Sequence, residues 1–168
     1  NALAAKENMR TESFAQKLCV SSKGNVDRIK NAQLEEGQKG LLFSLSNHKV
    51  LYANGIYDKV YPASITKIMT AMLALQSGKL NDTVTITQDN VTLEDGSQVC
   101  GFVAGDQVTL DQLLHCLLVY SGNDAASAIA EYVGASTENF VQMMNDYAAK
   151  LGCTGTHFSN PHGLQDEN

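Results

Sequence analysis

The stretch from Ile65 to Gly78 is the most apolar helix pattern in the chain, and Lys67 is its only charged residue. Apolar side chains recur there at the spacing of one helix face: Ile65, Ile68, Met69, Met72 and Leu73. The remaining positions are mostly small and uncharged. The pattern therefore predicts a core helix that is covered on most of its circumference, with one lysine in its first turn.

That lysine has a chemical consequence. Burial and the positive end of the helix dipole both favour the neutral amine, which is a base. Ser64 lies one turn before Lys67, within reach of the amine, and backbone N–H groups of a first turn can stabilise an anion. The pair predicts a serine nucleophile, a lysine general base and oxyanion donors. The alternative is structural: Ser64 caps the helix and Lys67 extends to water.

Composition limits the classes of function. The chain has 168 residues, 43% of them hydrophobic, which suits one globular domain. Its net charge of −6 is spread without a basic patch, so we expect no nucleic acid partner. The charge-free apolar stretches are too short to span a bilayer, and we expect a soluble domain.

Cysteines and histidines give weak signals. Cys19, Cys100, Cys116 and Cys153 are irregularly spaced, and Cys116 sits in a leucine-rich segment where we expect a buried free thiol. A zinc site built from Cys153, His157 and His162 would lack a paired Cys-x-x-Cys motif. We therefore predict no metal site, and the cysteines leave the redox compartment open.

Element signals follow the chain in order. Residues 1–24 predict a polar tail or loose helix, and 25–36 a short amphipathic helix. Residues 40–45 and 49–53 predict two antiparallel strands joined by a tight turn, and Val84-Thr85-Ile86 is a short alternating segment. Three helices follow: one from Val108 with a Thr109/Gln112 capping box and a leucine stripe ending at Leu118, one from a cap at Asn123 to Gly134, and one from Ser136 to Gly152.

A second polar cluster, Ser121-Gly122-Asn123, interrupts two of these apolar helices. These residue types favour helix breaks, so capping alone would explain them. The alternative is functional: the Ser121 hydroxyl relays a proton and the Asn123 amide holds a substrate carbonyl or fixes Lys67.

The motifs together resemble the serine-type D-alanyl-D-alanine carboxypeptidases, or low-molecular-mass penicillin-binding proteins. Three segments carry the resemblance, in matching order and spacing: Tyr61 to Ala71, Tyr120 to Ala126, and Asn160-Pro161-His162-Gly163-Leu164. By this resemblance Ser64 is the nucleophile that forms an acyl-enzyme and Lys67 its general base. Ser121 and Asn123 match the second-motif pair in proton relay and substrate binding, and His162 has a structural role.

The resemblance also implies a setting. The expected substrates are peptidoglycan stem peptides ending in D-Ala-D-Ala, and the expected inhibitors are β-lactams. The implied fold is α+β, the penicillin-binding protein/β-lactamase-like transpeptidase fold, in which a mixed sheet is flanked by helices and joined to a helical subdomain. The family acts outside the cytoplasmic membrane and needs no cofactor.

The chain departs from the family at its end. The family's third motif, Lys-Thr-Gly on a strand beyond the His-Gly-Leu loop, has no counterpart: Cys153-Thr154-Gly155 precedes that loop and lacks the lysine. We therefore interpret residues 25–168 as the N-terminal portion of one catalytic domain. The C-terminal remainder is expected on a separate or missing polypeptide.

Two alternatives stay open at this point. A class A-type β-lactamase would use the same serine and lysine, but the 160–164 loop offers no glutamate, and Gly122 stands where aspartate is usual in those enzymes. A non-catalytic fragment that binds peptidoglycan or β-lactams is the other.

Overall fold

The computed structural model describes residues 26–27, 29, 33–44, 46 and 49–165. The chain divides into two compact units, Asn1–Val60 and Tyr61–Asn168. The predicted polar tail 1–24 lies outside the described residues, as does Cys19. None of the helices in the described part has the length and apolarity that a bilayer crossing needs.

The first unit contains an antiparallel sheet. Its strands are β1 (Val26–Asp27), β2 (Gly40–Ser44) and β3 (Lys49–Asn54), in the order β1-β3-β2. Strand β3 is the central strand, paired on both edges, and its residues Val50, Tyr52 and Ala53 are buried. The predicted β2–β3 pairing is confirmed, with a register irregularity between Leu42 and Phe43.

The predicted amphipathic helix over 25–36 is wrong where the structure describes it. Val26 and Asp27 pair with Ala53 and Tyr52 as a strand, and residues 33–35 are not helical. The edge of β3 supplies backbone partners that the local apolar spacing does not reveal, and tertiary pairing overrides a weak helix preference.

The second unit is mainly helical. A 3-10 turn (Ala63–Thr66) leads into α1 (Lys67–Gln76), followed by β4 (Thr83–Thr85), α2 (Gln88–Val91) and β5 (Gln107–Thr109). Three longer helices complete it: α3 (Leu110–Val119), α4 (Asn123–Gly134) and α5 (Thr137–Lys150). The short strands β4 and β5 pair antiparallel; the sequence analysis had predicted neither β5 nor α2.

Helix α4 is the centre of this unit and packs against α1, α2, α3 and α5. Its small side chains allow neighbouring helices to approach closely, and four of its alanines are at most 1% exposed: Ala125, Ala126, Ala128 and Ala130. The core around it takes leucines from α3, with Phe140 and Met144 from α5. The second polar cluster therefore opens the most enclosed helix of the unit.

Helix starts agree with the sequence where local capping decides them. Thr109 and Gln112 form the predicted capping box of α3, and the Ser136 hydroxyl accepts from the Asn139 N–H at the start of α5. The predicted cap at Asn123 is wrong by one position, since Gly122 is the N-cap and Asn123 is the first helical residue. Leu118, predicted in the buried stripe, is 56% exposed.

The buried face of α1 also differs from the prediction. Ile65 and Ile68 are 67% and 56% exposed, whereas Thr66, Lys67 and Thr70 are buried together with Ala71, Leu73 and Ala74. Burying polar groups requires partners for them. For Lys67 and Thr70 such partners lie in the 160–164 loop, which borders the candidate site.

Candidate active site

Ser64 lies in the 3-10 turn that precedes α1, just after Ala63, whose φ of 48° is in the left-handed region. Its side chain caps neither helix, because the cap positions are Pro62 and Thr66 and neither start has a side-chain cap bond. The capping alternative for Ser64 is therefore wrong. The turn also uses the Ile65 N–H, which donates to Pro62 O at 3.1 Å, so this group is not the free oxyanion donor expected of a first turn.

Lys67 is 3% exposed and does not extend to water. Its Nζ atom donates to Ser64 Oγ at 3.1 Å and to the backbone carbonyl of His162 at 2.9 Å. Burial lowers the pKa of Lys67 from the ordinary lysine value, because the charged form loses its hydration. The amine is thus placed beside the serine, and burial shifts its protonation equilibrium towards the neutral form.

Ser121 joins the pair from the break between α3 and α4. Its φ of 62° is left-handed, which is uncommon for a residue with a side chain and is frequent at functional sites. In this conformation Ser121 Oγ donates to Ser64 Oγ at 3.1 Å. Ser64 therefore contacts a lysine on one side and a second hydroxyl on the other.

Asn123 is 3% exposed, and its backbone N–H donates to Gln98 O at 2.8 Å. Its side-chain Oδ1 atom is buried and has no hydrogen-bond partner among the described residues. A buried unpaired amide oxygen costs free energy, and such groups mark sites where a ligand can supply the partner. The position of Asn123 next to Ser121 suits the substrate-binding role expected from the resemblance.

The 160–164 loop supports Lys67 through backbone atoms. The Asn160 side chain shapes it, accepting from Gly163 N at 2.7 Å and donating to Leu164 O at 2.9 Å. The loop is fastened to α1 where Thr70 Oγ1 donates to Pro161 O at 2.6 Å. It thereby presents the His162 carbonyl to the lysine.

The His162 ring takes part in the loop rather than in contact with Ser64. Its Nδ1 atom accepts from the Leu164 N–H at 3.1 Å. Burial, and secondly the nearby charge of Lys67, lower the pKa of His162 to about 4. A neutral imidazole held by its own loop fits the structural role expected for this residue.

Asp124 is a residue of this region that sequence reasoning missed. It is 2% exposed, and its carboxylate accepts from the backbone N–H groups of Cys100, Gly101 and Ala125 at 2.9 to 3.0 Å. It thus fixes the loop of residues 98–102 against the start of α4. The signal that could have revealed Asp124 is a charged side chain in the first turn of an alanine-rich helix, where a buried carboxylate needs hydrogen-bond donors.

Gly122 has no space for a side chain. A Cβ atom there would overlap Cys100 Sγ and come within 2.8 Å of Asp124 Oδ1. The aspartate that is usual at this position in class A β-lactamases would have to displace the Cys100 and Asp124 side chains. Among the described residues, no group of three histidine, cysteine or acidic side chains is arranged to hold a metal ion.

Comparison with known proteins identifies the family. The family model described as D-alanyl-D-alanine carboxypeptidase matches residues 27–168. The chain belongs to the D-alanyl-D-alanine carboxypeptidase family. The carboxypeptidase DacC of Escherichia coli is 42% identical over 134 residues, which are 74% of this chain and 33% of that protein.

Solved structures show the penicillin-binding protein fold. The D-alanyl-D-alanine carboxypeptidase DacD of Francisella tularensis superposes with a TM-score of 0.72 at 30% identity, over 85% of this chain and 36% of that one. Penicillin binding protein 6B of Escherichia coli gives a TM-score of 0.71 at 33% identity, over 83% and 48%. The expected α+β fold is confirmed, and the chain spans about a third of the length of the curated carboxypeptidases it matches.

Proposed function

We propose that this chain carries the nucleophilic half of a serine D,D-carboxypeptidase site, which removes the terminal D-Ala from D-Ala-D-Ala stem peptides of peptidoglycan. The observation that carries the proposal is the position of Ser64 Oγ, 3.1 Å from both Lys67 Nζ and Ser121 Oγ. Its family membership and the buried, unpaired Asn123 Oδ1 support the same reaction.

The first chemical step is proton transfer from Ser64 to Lys67. In its neutral form the amine keeps one hydrogen on the His162 carbonyl and turns its lone pair to the serine hydroxyl. Ser64 Oγ then attacks the carbonyl carbon of the D-Ala-D-Ala bond. The lysine, now charged, is a proton donor for the second half of the step.

Departure of D-alanine needs a proton on its nitrogen. The Ser121 hydroxyl bridges towards the leaving group, since it already contacts the serine that attacks. It passes its proton to the amine nitrogen and takes the proton that the Lys67 ammonium gained from Ser64, so Lys67 becomes neutral again. The C–N bond breaks, and an ester remains on Ser64. Water then cleaves the ester, with Lys67 acting as base again.

Substrate binding is divided between this chain and the remainder of the domain. The Asn123 side chain, whose Oδ1 atom has no partner among the described residues, would bind an amide of the substrate. The Lys-Thr-Gly strand of the family, expected on the C-terminal remainder, is the proposed partner for the substrate carboxylate. β-Lactams, which resemble D-Ala-D-Ala, would acylate Ser64 by the same route. We place this reaction on the outer face of the cytoplasmic membrane, as expected for enzymes acting on peptidoglycan.

A fluorescent penicillin tests the nucleophile in the complete polypeptide that contains this chain. Wild type is expected to be labelled covalently, and Ser64→Ala is not. Ser77→Ala, at the other end of α1, is a matched control that keeps labelling. Label on Ser64→Ala would remove Ser64 from the role proposed here.

The released products separate the remaining alternatives. Slow release of bound penicillin together with D-alanine release from a D-Ala-D-Ala peptide is the expected result. Rapid β-lactam turnover would instead indicate a class A-type β-lactamase, against which Gly122 argues. D-Alanine release no higher than in Ser64→Ala would indicate a non-catalytic binding protein.

A further inference from the structure

Two free cysteines lie beside the Ser121 break. Cys100 is in the 98–102 loop and Cys116 is in the last turns of α3, and both are half-buried. The Cys100 thiol donates to the Cys116 carbonyl at 3.7 Å. The same carbonyl accepts from the Gly122 N–H at 3.2 Å, so the contact between the cysteines is part of the turn that carries Ser121.

The two side chains also interact with each other. The pKa of Cys100 is raised to about 12, mainly by burial, and further by the charges of Cys116 and Asp124 and by hydrogen bonds to these two side chains. Two thiolates at this place would repel each other and Asp124, so Cys100 stays a neutral thiol in the reduced protein. The hydrogen bond between the two side chains makes their thiol groups neighbours.

We propose that Cys100 and Cys116 form a reversible disulfide that links the 98–102 loop to α3 next to Gly122. The oxidant is a disulfide compound such as oxidised glutathione. One cysteine loses its proton and attacks the oxidant, whose S–S bond breaks and releases one thiol. The second cysteine loses its proton and attacks the mixed disulfide, releasing a second thiol, so that two protein thiols are oxidised and one disulfide is reduced to two thiols.

The disulfide would restrain the turn that contains Gly122, because both cysteines contact this glycine. Cys100 Sγ already occupies the space where Gly122 would carry a Cβ atom, and Cys116 O binds the Gly122 N–H. A link that closes a short loop restricts the unfolded chain. We therefore expect the oxidised protein to unfold at a temperature about 5 °C higher than the reduced one.

Peptide mapping of the protein treated with oxidised glutathione tests the proposal. A protease that cleaves at aspartate separates the two cysteines, because Asp106 and Asp111 lie between them, whereas trypsin does not, because no lysine or arginine does. The expected product is a Cys100–Cys116 cross-linked peptide pair that dithiothreitol separates. Cys153→Ser, which changes an exposed cysteine, is a matched control that keeps the cross-link.

Two results would overturn the proposed disulfide, and a third would overturn the stabilisation expected from it. The first is a wild-type protein in which Cys100 and Cys116 stay reduced after Cys153 has been fully glutathionylated. The second is a cross-link that joins either residue to Cys19 or Cys153 instead. The third is an oxidised, correctly linked protein whose unfolding temperature equals that of the reduced form. Cys116→Ser cannot form the link, and its unfolding temperature should be the same with and without oxidised glutathione.

Discussion

The Nζ atom of Lys67 donates to the backbone carbonyl of His162, 95 residues later in the chain, at 2.9 Å. A carboxylate in this place would favour the ammonium form and raise the pKa of Lys67. The carbonyl orients the amine without adding a negative charge, so burial remains the cause of the lowered pKa. The 160–164 loop therefore positions the proposed base without adding a negative charge that would stabilise its charged form.

Lys67→Arg is expected to slow acylation of Ser64 by a fluorescent penicillin at least about 100-fold, because guanidinium keeps its proton. Lys79→Arg changes an exposed lysine and is expected to leave the rate unchanged. In wild type the acylation rate should rise with pH as Lys67 loses its proton, with a midpoint below the ordinary lysine value of 10.5. A rate independent of pH up to that value would contradict the role of Lys67 as base.

His162 makes stability depend on pH through its lowered pKa, about 4 against an ordinary 6.5. Between these values the His162 side chain binds a proton in the unfolded chain but not in the folded chain. The free energy of unfolding therefore decreases as pH falls from 6.5 towards 4. The loss amounts to at most about 3 kcal/mol. Urea unfolding at about pH 7 and about pH 4.5 should show a larger decrease for wild type than for His162→Gln.

His115 provides the control for this pH dependence. It is exposed on α3, and its side chain is 71% accessible. The variant His115→Gln should keep the wild-type decrease between the two pH values. Equal decreases in wild type and His162→Gln would show that burial of His162 does not contribute in this way.

The sequence predicts the local parts of this site well and its long-range parts poorly. The Thr109/Gln112 capping box and the break at Ser121 depend on residues within one helix turn of each other, so spacing reveals them. Which face of α1 is buried does not follow from spacing. Ile65 and Ile68, on the apolar face, are exposed, whereas Thr70 is buried. Thr70 is buried because Pro161 O accepts its hydrogen bond, and a contact across 91 residues has no local signal.

Family resemblance supplied what spacing could not. It brought the segments of Ser64, Ser121 and Asn160 to one site, and the distances among Ser64, Lys67 and Ser121 agree with that grouping. It did not indicate Asp124, whose partners are backbone N–H groups of an irregular loop. Backbone contacts of this kind do not depend on the loop's side chains, so its residue types do not encode them.

Asn160→Ala should reduce both stability and acylation. The variant removes the amide that binds Gly163 N and Leu164 O, at a cost of about 1–3 kcal/mol, and it loosens the carbonyl that holds Lys67. Asn145→Ala is the matched control, since the Asn145 amide makes an equivalent pair of bonds to Phe158 away from the site. Urea unfolding should show similar losses for both, whereas penicillin labelling should slow only in Asn160→Ala. Equal labelling rates would contradict the positioning role of the loop.

Gly163→Ala adds one methyl group beside the site and should lower the free energy of unfolding strongly. Gly163 has a φ of 85°, and a Cβ atom there would overlap the Ala63 carbonyl and lie 2.9 Å from Thr66 Oγ1. Gly152→Ala is a matched control, because Gly152 has a φ of 82° and no atom within 4 Å of the added Cβ. The control should lose about 1–2 kcal/mol of unfolding free energy for its backbone conformation alone. Gly163→Ala should lose at least about 2 kcal/mol more, because backbone must move.

The same variant should also label more slowly with penicillin, because Ala63, the residue that its methyl group displaces, directly precedes Ser64. Labelling is measured at a temperature where Gly163→Ala remains folded, and Gly152→Ala should keep the wild-type rate. Equal losses of stability in the two variants would mean that the 160–164 loop yields easily, and that it does not hold the Ser64 turn in place.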